Sequence, residues 1–108
     1  MEIRKMPNID TDENFFMHSM FEDILNEKGI DGTFNYVEIA GNVNLPDEGW
    51  SVHDYDEFSL ILEGEVDSEI DGKNYTVKAG DYTLIKKGTP HKTFNRKNEP
   101  CKIISLLI

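Results

Sequence analysis

The sequence has little cysteine, little positive charge and no long apolar run. Cys101 is the only cysteine in 108 residues, so no disulfide can form within the chain. A lone thiol fits a reducing compartment. Eleven Lys and Arg stand against twenty-one Asp and Glu, a net charge of −10. Such a field repels nucleic acid and anionic lipid, and neither is expected as a partner. No helix-turn-helix segment is visible. No stretch is long and apolar enough to cross a bilayer. The N-terminus, Met1 to Pro7, has basic residues with no apolar run behind them, unlike a secretory signal. A soluble cytoplasmic protein is expected.

What is present suffices for a packed fold. Hydrophobic residues make up 38% and aromatics 10% of the chain, which sets it apart from disordered sequences. Its length suits a single hydrophobic core. Cys101 reads as a small apolar residue opening a strand.

Two regions are expected, an N-terminal segment over residues 1–32 and a β-barrel over residues 33–108. In the first, Phe16, Met17, Met20, Phe21, Ile24 and Leu25 recur at helical spacing. The spacing predicts an amphipathic helix of about four turns packed on the barrel. Asp10 with Glu13, or Thr11, would cap its start. Gly29 and Ile30 would close it as a Schellman ending, with Ile30 near Leu25. His18, on the polar face, reads as an exposed helix residue.

Beyond the turn at Asp31-Gly32, residues 33–39 are rich in β-branched and aromatic side chains and read as a strand. Residues 41–49 read as a loop or bulged edge. Asp71-Gly72 suits a type I′ hairpin turn that sets Val66 opposite Val77, Ser68 opposite Tyr75 and Ile70 opposite Lys73. Residues 58–62 and 103–108 carry apolar side chains on both faces. Both faces therefore need cover; the helix would cover some of the outer surface and a second subunit the rest, and a homodimer is expected.

Chemistry concentrates between Gly49 and Asn95. Ser51, His53 and Glu57 precede Gly64 at set intervals, and Gly80, Gly88, His91 and Asn95 follow. These spacings resemble the two motifs of the cupin superfamily, G(X)5HXH(X)3-4E(X)6G and G(X)5PXG(X)2H(X)3N. Leu45 stands at the leading glycine, Ser51 at the first histidine and Lys86 at the proline. The resemblance covers a little under half of the chain. It implies an all-β fold with a short N-terminal helix, the cupin-type double-stranded β-helix or jelly-roll barrel.

The resemblance also implies a divalent metal site. Cupin ligands are usually three His and one Glu. With Ser51 in place of one, His53, Glu57 and His91 remain, and this set suits iron, zinc, manganese or nickel with positions left for water or substrate. Ser51, Tyr55 and Asn95 are candidate pocket residues beside it. Lys86, Lys87 and Lys92 read as ordinary lysines on strand ends and loops, with contact to an anionic substrate at the barrel mouth as the alternative.

Two functions follow from these residues. One is a metal-dependent enzyme, an oxygenase, isomerase or lyase, acting on a small polar molecule. The other is a non-catalytic, metal-free or metal-bound module that binds or senses a small ligand.

Overall fold

The computed structural model describes residues 1–9 and 13–108. Among these residues, nine strands and one short helix run in the order β1 (Phe15–Met20), α1 (Glu22–Glu27), β2 (Thr33–Ile39), β3 (Val43–Leu45), β4 (Glu57–Glu63), β5 (Glu65–Ile70), β6 (Lys73–Lys78), β7 (Tyr82–Ile85), β8 (His91–Asn95) and β9 (Cys101–Leu107). They form a five-stranded sheet, β1-β2-β9-β4-β7, and a four-stranded sheet, β3-β8-β5-β6. All pairings are antiparallel. The fold is the all-β jelly roll with a short helix.

The hairpin of β5 and β6 has the expected register, with Val66 opposite Val77, Ser68 opposite Tyr75 and Ile70 opposite Lys73. Asp71 and Gly72 both take positive φ, 51° and 75°, as a type I′ turn requires. Strand β2 has the expected bounds. The stretch expected as a loop or bulged edge holds the three-residue β3, which sits at the edge of its sheet.

The N-terminal segment differs from the expected four-turn helix. Residues 15–20 form an edge strand paired with β2, Met17 opposite Val37 and Ser19 opposite Asn35. Among the described residues, only Glu22–Glu27 is helical. The run of Phe and Met satisfies both periods, and a free β2 edge rewards the extended form by pairing its backbone groups. Phe21, with φ of 56°, turns the chain from strand to helix. The helix ends as expected. The Ile30 amide donates to the Leu25 carbonyl at 2.9 Å and the Gly29 amide to that of Asn26 at 3.0 Å, both bonds of a Schellman motif. The capping residues Asp10 and Thr11 lie outside the described residues. His18 sits half-buried on β1, opposite Tyr36, not on a helix.

Strand alternation sorts the inward side chains of the five-stranded sheet into rows. Glu57 pairs with Leu107 and Ile85 at one end. The next row, Ser19, Asn35, Ser105, Ser59 and Thr83, is polar across all five strands. Ile61, Ile103 and Val37 follow, then Cys101 and Ile39. With Val43 and Val66 of the other sheet, these apolar rows make the core. Asn35 is 0% exposed. It accepts from the Ser19 hydroxyl at 2.8 Å and donates to Thr33 Oγ1 at 3.0 Å, with a longer contact to Ser105 Oγ at 3.4 Å. This bonding ties β1 to the barrel and satisfies a buried amide.

Gly64 joins the two sheets between β4 and β5. Its φ is 80°, and a Cβ there would lie 2.8 Å from the Pro100 carbonyl oxygen, so this corner of the first motif has room only for glycine. On the outside of the five-stranded sheet, Phe58, Leu60 and Leu84 remain 40%, 40% and 46% exposed. The short helix does not cover them, because it packs chiefly beside β2.

Candidate metal centre

His53, Glu57 and His91 reach one place from three settings. Glu57 opens β4 and His91 opens β8. His53 lies in the irregular stretch between Ser51 and β4. Nε2 of His53 is 3.6 Å from Oε1 of Glu57, and Nε2 of His91 is 3.8 Å from Oε2. One donor atom from each residue can be chosen so that all lie within 4.8 Å of one another.

These separations exceed hydrogen-bond length. Two donors bound to one ion at about 2.0–2.1 Å with a tetrahedral angle lie about 3.4 Å apart, close to what the pairs show. His91 Nδ1 lies 3.0 Å from the Thr89 carbonyl oxygen. A carbonyl only accepts, so Nδ1 carries a proton and Nε2, on the Glu57 side, is the nitrogen left to serve as a metal donor. The donor set thus fits a divalent ion, with backbone support of the kind that orients metal-bound histidines.

The side chains are graded in access. His91 is 6% exposed, Glu57 22% and His53 34%. All three line a cavity of about 350 Å³ between the sheets, within the usual size of ligand pockets, about 300–1,000 Å³. Ser51 also lines it. The backbones of Ser51 and His91 exchange two hydrogen bonds, each 2.9 Å.

Tyr55 and Asn95 are not among the residues that line this cavity. Alternation from Ser51 to Glu57 would have turned Tyr55 inward, but residues 54–55 bend, and the Tyr55 hydroxyl donates instead to Asp31 Oδ1 at 2.8 Å. Asn95 is buried where β8 ends. Its amide donates to the carbonyls of Ile39 and Glu99, and its oxygen accepts from the Lys97 amide, so it clamps a turn. Lys86, Lys87 and Lys92 do not line the cavity either. Lys92 Nζ lies 4.4 Å from the Trp50 ring centroid, outside it. Met17, expected on the helix, and Phe15, which the sequence does not single out, line the cavity from β1. Only the pairing of β1 with β2 puts them there.

Residues 42–107 match the family model Cupin_2, described as a cupin domain. The chain is 38% identical over 53 residues to the HTH-type transcriptional regulator PuuR of Escherichia coli, a match covering 49% of this chain and 29% of the relative. The same holds for its counterpart in Shigella flexneri. The chain therefore spans under a third of the curated relatives it matches. Among solved structures, a Cupin 2 conserved barrel domain protein from Salinispora arenicola superposes with a TM-score of 0.77 at 20% identity, over 98% of this chain and 87% of that one. The Cupin_2 domain of an XRE family transcriptional regulator from Enterobacter cloacae gives 0.73 at 16%, over 88% and 96%. A predicted oxalate decarboxylase from Thermotoga maritima gives 0.72 at 21%, over 87% and 79%. At such identities these likenesses speak for the fold alone. The family match spans well over half of the sequence, and the chain belongs to the Cupin_2 family of cupin domains.

Proposed function

We propose that this barrel holds a divalent metal ion through His53, Glu57 and His91 and presents it to a small molecule in the cavity. The observation that carries this reading is the convergence of two imidazoles and a carboxylate, donor atoms within 4.8 Å of one another, on a cavity of about 350 Å³. Two histidines and one carboxylate suit iron, zinc, manganese or nickel and leave positions for an outside ligand. A bound ion would supply a Lewis acid beside the small molecule. Elemental analysis of untagged protein, purified without chelator, tests the proposal. Near one equivalent of such a metal per chain is the expected result. No metal as purified, and none taken up on reconstitution, would overturn it.

A second reading, a ligand-sensing module without turnover, is favoured by the resemblance to two proteins named as transcriptional regulators. Tight binding of a metabolite recovered unaltered would select it, and turnover would select the enzyme. The expected absence of a nucleic-acid partner rests on the charge of this chain, −10, and the regulator relatives argue against extending it to any larger protein.

The exposed Phe58, Leu60 and Leu84 support a homodimer through the outer face of the five-stranded sheet. A light-scattering mass of one chain at micromolar concentration would refute that. No helix among the described residues is long and apolar enough to cross a membrane. The single buried thiol supports the reducing cytoplasm as the protein's location.

A further inference from the structure

One row deeper than the three donors, the cavity wall changes character. Ser105, Ser59 and Thr83 are neighbours across β9, β4 and β7. Ser68 and Thr93 face each other across β5 and β8. All five line the cavity, so hydroxyls from both sheets form a belt around it. Ser59 follows Glu57 by two residues and Thr93 follows His91 by two. At a strand rise of about 3.4 Å per residue, the belt lies about 7 Å below the donors. Deeper still the wall is apolar, with Ile61, Ile103, Val37 and Val66.

Ser105 Oγ is contacted by the Asn35 amide. Among the described residues, no side-chain hydrogen bond engages the hydroxyls of Ser59, Ser68, Thr83 or Thr93. None of them is sealed away as an unpartnered buried atom, so they open on the cavity. Among the described residues, His53, Glu57 and His91 are the only ionisable side chains in the cavity wall.

We infer that this belt is a second subsite, which takes an uncharged hydrogen-bonding group of the ligand. A Ser or Thr hydroxyl both donates and accepts, so a hydroxyl or carbonyl group is satisfied there. A charged group at the same depth would be desolvated with no ionisable side chain in the belt to pair with it. An apolar group would leave the belt hydroxyls without partners. The ligand class is therefore a molecule with a metal-binding head and an uncharged oxygen function about 7 Å from it. The head rests on the metal proposal above, whereas the belt does not.

Calorimetry with two probe series separates these parts. Zinc-loaded protein is titrated with alkyl hydroxamates of rising length and with their ω-hydroxy counterparts. Metal-free protein is titrated with 1-alkanols and the matching α,ω-diols. In both series the hydroxyl-ended probe should bind about tenfold tighter than its methyl-ended partner at one chain length, as a well-made hydrogen bond allows. A carboxylate-ended hydroxamate should bind at least about tenfold more weakly than the hydroxyl-ended one. The double variant Ser59→Ala/Thr93→Val should erase the hydroxyl advantage and leave methyl-ended probes within about twofold. The single variants Ser59→Ala and Ser68→Ala carry the same comparison if the double variant does not fold. Loss of hydroxamate binding with a preserved diol preference would count against the metal centre and for the belt. Equal binding of both probe types at every length, an advantage that survives the substitutions, or no binding in either series would overturn the inference.

Discussion

Ser51 and His91 form a hydrogen-bonded antiparallel pair, each amide 2.9 Å from the other's carbonyl oxygen. Such paired residues have Cα atoms about 5.5 Å apart and side chains on one face. The serine hydroxyl thus stands beside the His91 imidazole, at the position where the family pattern has a further histidine. Ser51→His should add a fourth donor to the site and tighten zinc binding by at least about tenfold. Competition with a chromogenic chelator measures it, and unchanged affinity would show that position 51 does not face the donors.

His91→Ala should lower zinc affinity by more than about a hundredfold, because it removes a donor and the partner of the Thr89 carbonyl together. Strand β8 keeps its backbone pairing with β3 and β5, so the far-ultraviolet dichroism should stay that of the parent. Equal zinc content in the folded variant would exclude His91 as a ligand.

Asn35→Ala should destabilise the protein by about 1–3 kcal/mol, since it strips the buried partner from Ser19 and Thr33. Urea unfolding followed by Trp50 fluorescence reads the change. A midpoint equal to the parent's would show that this bonding contributes nothing net.

Burial pushes the Cys101 thiol up from 9.0 to about 11, with the Glu65 carboxylate adding to the shift. The unfolded thiol ionises first as pH rises. The stabilisation is therefore complete below pH 9 and is lost progressively between pH 9 and about 11. Urea midpoints at pH 8, 9 and 10 should fall more steeply for the parent than for Cys101→Ala. The native thiol should resist a disulfide reagent at pH 8 and react on unfolding.

Local chemistry was the legible part of this fold. The Asp71-Gly72 turn fixes the β5–β6 register within a dozen residues, and the motif spacings single out the three residues that converge. The segment from Phe15 to Leu25 was not legible in the same way. Its apolar residues fit a helix and a strand alike, and the choice falls to β2, a partner lying outside the segment. Strand alternation points Tyr55 inward, and the bend at residues 54–55 turns its hydroxyl to Asp31 instead. Asn95 follows the family spacing, yet its bonds close a turn. The polar row through Asn35, Ser105, Ser59 and Thr83 joins residues far apart in sequence, and no local pattern marks it.

Glu57 belongs to the five-stranded sheet and His91 to the four-stranded one. A shared ion would therefore clasp the two leaves of the sandwich at one end, while the other end is already closed by apolar packing. Each ligand bond would resist the leaves parting, and a ligand that binds only the native form stabilises it by mass action. Loading would act as a latch on breathing of the barrel. Amide hydrogens of β4 and β8 should exchange more slowly in zinc-loaded protein, whereas those of residues 96–99, past the end of β8 away from His91, should exchange at their former rate.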